Sequence, residues 1–298
     1  MTKCPACLVG FGREDYPALA HHLVAQAEDS DPDHVRWLNQ NLTRRKVVAD
    51  DLVPRIRTVF DLGTGSLTEW IKSRFVAKFF GAAPHPFVLA LQHPSRSTLL
   101  GYVVEHQHFL RQWVRSCAFI MARTDRPEVI LYELDNLTTE FGGFGPDRVS
   151  HYELLLRMGE SLGVDRSVTL STPPLPATRR AIERWNEMAT REHWVAVMAA
   201  MHSLELIANR NLVRDGASVP YFDPGILRGN EITPAAQNFL REGYEADVDH
   251  SDQALALVRR FTAELDVLEE VQSVFLRSID LFDDYLVARL ERAGQFEA

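Results

Sequence analysis

The sequence has few of the features that mark disulfide-rich, membrane-spanning or secreted proteins. Its 298 residues include only three cysteines, too few for a disulfide framework, and this predicts a reducing compartment. No apolar run reaches the roughly 18 residues that a membrane span requires. The N-terminal stretch MTKCPACLVGFGRED has neither an apolar core nor a small-residue cleavage site. We therefore expect a cytoplasmic protein that does not bind a membrane.

The sequence also has no stripe of basic residues. Lysine and arginine number 32 against 41 acidic residues, for a net charge of −9. Because nucleic-acid phosphates require a basic face, this balance argues against a nucleic-acid partner. Apolar residues make up 46% of the chain, enough at this length for a large core. We expect a small-molecule substrate as the partner, and keep a homodimer as an alternative.

Runs of alternating β-branched residues, which would predict strands, are missing as well. Apolar residues recur instead at helical spacing, and Gly and Pro divide the segments. The sequence therefore predicts an all-α helical bundle over residues 63–298, with an N-terminal helical extension over residues 1–62. The predicted helices span residues 16–27, 33–60 with a kink or break at Pro54, 67–80, 97–123, 128–141, 147–162, 176–190, 193–210, 234–249 and 251–292.

The stretch from residue 132 to 157 holds the strongest functional signal. One predicted helix ends near Glu140, and the next begins before His151. In one continuous helix these residues would lie roughly 16 Å apart, at about 1.5 Å per residue. Glycines and Pro146 between them predict a break, since Gly permits positive φ and Pro suits a first helical turn. A break allows the carboxylate and the imidazole to meet at one point.

Several ionisable residues stand in apolar helical segments, where burial is costly unless they are paired or bind a metal. Asp247 and His250 are three residues apart on one helix face, as are His202 and Glu205. Helix bundles use such pairs to build dinuclear metal sites. Four carboxylates would balance two divalent cations, and mixed carboxylate and imidazole ligands suit iron or manganese. The candidate ligands are Glu105, Glu140, His151, Glu205, Asp247 and His250.

A second candidate lies at Cys4 and Cys7. A C-x-x-C pair can bind zinc or exchange thiols, and His21 and His22 could complete a metal site. No second C-x-x-C pair exists, so the sequence favours the alternative of an inert, loosely ordered terminus over residues 1–12.

Three stretches resemble the haem-oxygenase-like di-iron oxidases, a family of iron-containing redox enzymes, and beyond them the TenA and PqqC superfamily. The first is HPF at residues 85–87 followed by Y-x-x-E-x-x-H-F at residues 102–109. The second and most specific is N-L-T-T-E-x-G at residues 136–142, followed by His151. The third comprises Leu204 with Glu205 and D-x-x-H at residues 247–250. The likeness covers about residues 81–257.

The resemblance implies that the six candidate ligands hold two Fe(II) ions, with O₂ as co-substrate. The implied reaction is N-oxygenation, desaturation or C–C cleavage of an amino acid, amine or fatty acid. Gly243 stands where the family usually has a histidine, so one iron could be weakly bound, with His202 or Tyr244 as a surrogate ligand. Arg111, Arg148 and Arg157 are candidates for binding a substrate carboxylate.

Two alternatives stay open. The chain could be a metal-free enzyme of the PqqC or TenA kind, or a non-catalytic partner protein whose metal site has decayed.

Overall fold

The structure, a computed structural model, describes residues 1–142 and 149–297, and for residues 245–249 only the backbone. Within this part of the chain the regular structure is helical, and the all-α prediction is confirmed. No helix in these residues is both long enough and apolar enough to cross a membrane. The α-helices of the described residues are α1 (Tyr16–Glu28), α2 (Pro32–Asn41), α3 (Ala49–Phe60), α4 (Leu67–Phe79), α5 (Pro86–Ala90), α6 (Arg96–Arg123), α7 (Pro127–Leu137), α8 (His151–Ser161), α9 (Arg166–Ser171), α10 (Pro176–Arg191), α11 (Trp194–His202), α12 (Pro234–Leu265) and α13 (Leu268–Gly294).

Helix α13 forms the centre of the bundle. It is buried along most of its length and packs against α6, α10 and α11. The approach to α6 is close at Gly101, where an added Cβ would lie 2.2 Å from the carbonyl oxygen of Arg289. Helix α12 packs against α8 and α11. These contacts place α6, α8, α12 and the C-terminal half of α13 around one interior region.

The structure corrects two predicted helices. Residues 33–60 form two helices, and the break lies at residues 42–48 rather than at Pro54, which is inside α3. The charged residues 44–46 are exposed, so a helix continued through them would have no face to bury. Helix α12 runs through residues 249–251, where a boundary was predicted. It ends before Asp266, whose φ of 52° is left-handed.

The N-terminal residues are not the loosely ordered terminus that the sequence favours. Cys4 is fully buried, and Lys3 pairs with Gly10 in an antiparallel bridge. The Thr2 hydroxyl donates to Glu269 of α13 at 2.8 Å. The terminus is ordered because its polar groups bind the bundle. Thr2 and Glu269 are more than 260 residues apart in sequence, so the local sequence pattern cannot predict this contact.

Asp283 of α13 joins three other parts of the fold. Its carboxylate lies 3.3 Å from Arg36 of α2, 3.8 Å from Lys78 of α4 and 3.4 Å from His85. Burial opposes ionisation of Asp283, but the bond with His85 and the charges of Lys78 and Arg36 outweigh it. Together they lower the pKa of Asp283 to about 2.

We expect Asp283→Asn to destabilise the protein at neutral pH by about 2–3 kcal/mol, since each pKa unit corresponds to about 1.4 kcal/mol. Because the folded-state pKa is below the unfolded value of 3.8, the stabilisation is present above that value. It is lost as the pH falls through about 2. Urea unfolding across this pH range measures the free energy of unfolding of both proteins. The difference between wild type and variant should become smaller in acid. Asp252→Asn, which removes an exposed partner of Lys72, is the control and should cost less than about 1 kcal/mol. If the difference in free energy of unfolding stayed constant down to the folded-state pKa, the stabilising role of the Asp283 carboxylate would be contradicted.

Candidate functional site

An interior cavity of about 70 Å³ lies where α6, α8, α12 and α13 meet. Aromatic and aliphatic side chains from several elements form most of its wall, among them Phe109, Trp113, Tyr221 and Phe222. The cavity has room for about two waters by their share of liquid volume, or for a ligand of few heavy atoms. Its charged and polar lining consists of His106, Glu140, His151, Glu205 and Arg289.

Glu140 and His151 meet at this cavity, as their motif predicts. After α7 the chain makes one wide turn, a π-helical segment at Thr138–Gly142, and this turn carries Glu140. Such turns are frequent at functional sites. His151 is the first residue of α8, which Ser150 caps. The His151 Nδ1 lies 3.2 Å from Oε1 of Glu140. The other oxygen, Oε2, is buried and has no hydrogen-bond partner among the described residues. The predicted break between these helices falls at residues 143–148, outside the described residues.

Glu205 reaches the same cavity from the short 3₁₀ segment after α11. Its Oε1 accepts from the Asn136 amide at 3.1 Å and lies 3.2 Å from Nδ1 of His202. Asn136 is held in turn by the Trp113 indole, which donates to its Oδ1 at 2.5 Å. Oε2 of Glu205 is buried without a described partner. The carboxylate is thus oriented through one oxygen while the other remains available.

His202 is bound between two carboxylates. Its Nε2 lies 2.9 Å from Oε1 of Glu133, and its Nδ1 lies 3.2 Å from Glu205. Burial lowers the pKa of His202, but the two carboxylates outweigh burial and raise it to about 10. The ring is therefore a cation at neutral pH. Ligand atoms of Cys117, Glu133 and His202 all lie within 4.8 Å of one another.

Glu133 was missed by sequence reasoning, and Asn136 was noted only as the first residue of the N-L-T-T-E-x-G motif, although a signal for both was present. Glu133, Asn136 and Glu140 are three and four residues apart, which places them on one face of α7 and its continuation. His202 was predicted as a surrogate ligand, and the structure shows it holding Glu205 instead.

Glu105, in contrast, does not converge on the cavity. It is fully buried, and its carboxylate accepts from Arg292 Nε at 2.7 Å and from the Leu175 backbone N–H at 3.2 Å. The cause is helical geometry, since successive residues of α6 point about 100° apart. His106 lines the cavity, and Glu105 turns to Arg292 of α13. The expectation that Glu105 joins the other candidate ligands is not met.

Helix α12 contributes Gly243 to the cavity wall. The side chain of Asp247 lies outside the described residues, so its role as a ligand stays a prediction. His250 is half-buried, and its carbonyl oxygen accepts from the Tyr132 hydroxyl at 3.2 Å. It does not line the cavity within the described part of the chain.

Arg289 of α13 is the cation of the cavity, and sequence reasoning did not find it. The side chain is 2% exposed. It donates to the hydroxyls of Tyr221 at 3.0 Å and Tyr285 at 2.6 Å, and to Nδ1 of His106 at 2.9 Å. Its guanidinium stacks 4.1 Å from the Tyr102 ring and 5.0 Å from that of Phe87, the phenylalanine of the HPF motif. No carboxylate among the described residues pairs with it, and its Nε has no acceptor there.

Burial opposes the charge of Arg289, but the surrounding tyrosines outweigh it and raise its pKa. Burial, followed by the charge of Arg289, lowers the pKa of His106 well below its usual value. His106 is therefore neutral, and its Nδ1 is an acceptor that faces the guanidinium.

The arginines proposed from the sequence lie elsewhere. Arg111 donates from Nε to the Tyr152 hydroxyl at 3.1 Å, and exposed Arg157 pairs with Glu153 at 2.9 Å. Neither lines the cavity, and Arg148 is outside the described residues.

Solved structures with the same overall arrangement of helices are distant in sequence. A domain of unknown function with a heme oxygenase-like fold from Shewanella denitrificans OS217 is 15% identical, with a TM-score of 0.56 over 85% of this chain and 97% of that chain. A TenA family transcription regulator from Silicibacter sp. TM1040 is 13% identical, with a TM-score of 0.55 over 75% and 94%. A TenA homologue from P. horikoshii OT3 is 14% identical, with a TM-score of 0.52 over 81% and 99%. These likenesses show a haem-oxygenase-like fold.

Two family profiles match separate parts of the sequence. Residues 1–61 match a C2H2 type zinc-finger profile of one copy, a fifth of the chain. No curated protein matches the sequence significantly. Residues 70–293 match the profile of the TENA/THI-4/PQQC family, and this range includes every residue of the cavity wall named above. Since the match covers most of the chain, the protein belongs to the TENA/THI-4/PQQC family.

Proposed function

We propose that the protein is a non-haem iron oxidoreductase that uses O₂ to oxidise a small organic acid. Glu140, His151 and Glu205 would hold the iron, together with Asp247 and His250 as the resemblance implies. One observation carries the proposal: two carboxylates face the same cavity, and each has a buried oxygen that no described residue satisfies. Buried carboxylates are costly unless a cation or a full set of hydrogen bonds compensates them.

The donors at the cavity fit iron. Carboxylate oxygens with an imidazole nitrogen suit iron or manganese, whereas closed zinc sites favour thiolate and imidazole. His151 orients one oxygen of Glu140, and Asn136 and His202 orient one oxygen of Glu205. Bound iron would supply redox chemistry and O₂ activation, for which open coordination positions are needed.

The chain's own residues would select and position the substrate. Of the five N–H donors of Arg289, the described contacts use three, so donors remain for a substrate carboxylate. The small cavity would limit the part of the substrate that enters, and its largely apolar wall would shield that part from bulk water. A carboxylate at Arg289 also supplies the anion that this buried cation lacks.

A second iron would have few ligands among the described side chains. Glu105 is held by Arg292, and Gly243 has no side chain to offer. His202 is engaged by Glu133 and Glu205. We therefore expect one iron to bind tightly and the second to bind weakly.

Anaerobic Fe(II) titration of apo-protein tests this expectation. Wild type should bind one tight equivalent followed by a weaker one, and Gly243→His should strengthen the second step by at least about tenfold, because Gly243 borders the cavity and an imidazole is a good iron ligand. O₂ consumption with a panel of small amino and carboxylic acids, compared with matched amides, tests the substrate class. Two equal tight steps in wild type would contradict the ligand count.

A metal-free reaction is the second candidate, and the charge on His202 favours it. The imidazolium lies against Glu133 and Glu205 and offsets part of their charge without any metal. Protein purified anaerobically with Fe(II), yet containing no iron and still oxidising a substrate, would establish this candidate and overturn the first.

A further inference from the structure

Four side chains of the N-terminal segment, far along the chain from the cavity residues, converge on one point. They are Cys4, Cys7, His22 and His34, and one ligand atom from each lies within 4.8 Å of all the others. We propose that these residues form a tetrahedral Cys₂His₂ zinc site that holds the N-terminal segment together. The proposal is independent of the iron site.

The cysteines are placed by a tight turn. The Leu8 amide donates to the Cys4 carbonyl at 2.7 Å, and the Cys4 amide donates to the Val9 carbonyl at 2.8 Å. Leu8 takes a left-handed φ of 62°, which closes the turn. The Ala6 amide donates to Sγ of Cys4 at 3.4 Å. The turn thus presents both sulfurs on the side that faces α1 and α2.

The two histidines come from different helices. His22 is on α1 and His34 is on α2, and their Nε2 atoms lie 3.1 Å apart. Nε2 of His22 also lies 3.3 Å from Sγ of Cys7. Two nitrogens bound to one tetrahedral zinc at about 2.0–2.1 Å lie roughly 3.3 Å apart. The observed spacing therefore needs little adjustment to receive the ion.

Asp31 fixes the orientation of His34. Its Oδ1 lies 2.6 Å from Nδ1 of His34 and also accepts from the His34 backbone N–H at 3.1 Å. With Nδ1–H donated to Asp31, Nε2 of the neutral ring would carry the lone pair that faces His22 and Cys7. A carboxylate behind a ligating imidazole is the usual outer partner in zinc sites.

Zinc explains this arrangement better than a redox disulfide does. A Cys4–Cys7 disulfide would use both sulfurs but would give no reason for two imidazole nitrogens at the same point. Two thiolates also neutralise Zn²⁺, so the site adds no net charge where Cys4 and His34 are buried.

The two histidines are twelve positions apart in sequence. In a zinc finger that takes both histidines from one helix, the separation is four to six positions. Local spacing therefore does not reveal the pair.

The site would stiffen a segment that is bound to the bundle by ion pairs. Arg277 of α13 pairs with Asp33 of α2 at 2.6 Å, one residue from His34. Lys3, one residue from Cys4, pairs with Glu192 and with Glu270. Loss of zinc should therefore loosen both helices and their contact with α13.

Zinc analysis of full-length protein purified without chelator tests the proposal. We expect about one equivalent per chain, the stoichiometry of a four-ligand site. It should fall to near zero in Cys7→Ser and in His34→Ala, and stay unchanged in His21→Ala, whose exposed side chain neighbours His22. Because Cys7 is exposed, Cys7→Ser should still fold, and circular dichroism would confirm this.

Cobalt(II) substitution separates this site from the carboxylate cavity. Only a site with cysteine ligands gives thiolate-to-cobalt charge-transfer absorption, so the band should vanish in Cys7→Ser and persist in Glu140→Ala. Zinc-free protein, with or without a Cys4–Cys7 disulfide in its mass spectrum, would overturn the proposal. So would zinc that survives both ligand variants.

Discussion

Glu140→Gln is expected to make the metal-free protein more stable and, at the same time, to abolish the proposed binding of iron. The wild-type carboxylate is buried with one oxygen unsatisfied, so neutralising it should raise the free energy of unfolding of the apo-protein by about 1 kcal/mol or more. Iron affinity should fall at least about 100-fold, since loss of an outer partner alone costs about 10–100-fold. Calorimetry with and without Fe(II), under argon, measures both effects.

Asp135→Asn is the matched control for this experiment, because Asp135 is an exposed acidic residue on the same helix. It should change neither the melting temperature nor the iron content. A Glu140→Gln protein that is less stable without metal and still binds iron would show that Glu140 is a structural residue.

Gly101→Ala should be the most damaging single-methyl change at the described glycines. The added Cβ would lie 2.2 Å from the Arg289 carbonyl oxygen and 2.6 Å from the Ala293 backbone nitrogen. Backbone atoms of a packed helix cannot rotate away, so α6 and α13 must separate. We expect a loss of about 3 kcal/mol or more in the free energy of unfolding, at or above the upper end for overpacked cores.

Gly294→Ala serves as the comparison, since it also lies on α13 and its added Cβ would have no neighbour within 4 Å. It should be neutral or stabilise by up to about 1 kcal/mol. Urea unfolding measures the free energy of unfolding of both variants. Equal values for Gly101→Ala and Gly294→Ala would show that α6 and α13 do not approach as closely as in the structure. Any Gly101→Ala protein that folds should also bind the proposed acidic substrate less well, because α13 carries Arg289.

Local pattern predicted the features that depend on neighbouring residues. The helical class was predicted from apolar spacing, and the contact of Glu140 with His151 was expected from the predicted break between their helices. Glu105 could not be placed in this way, because its partner Arg292 is 187 residues away. Arg289 was equally hidden, since its neighbours Tyr102 and Tyr221 come from other segments and one arginine in a helix resembles any other. The end of α12 at Asp266 has no glycine or proline to mark it.

The long-range contacts of the N-terminal segment also bear on how the chain folds during synthesis. The residues that bind this segment to the bundle, Glu269, Glu270 and Arg277, leave the ribosome long after it. At about 5–20 residues per second, the segment would wait roughly ten seconds or more for its docking surface. All four proposed zinc ligands, in contrast, lie within residues 4–34. Zinc would let this segment form its own short-range structure at once, and so keep its apolar residues covered until α13 arrives.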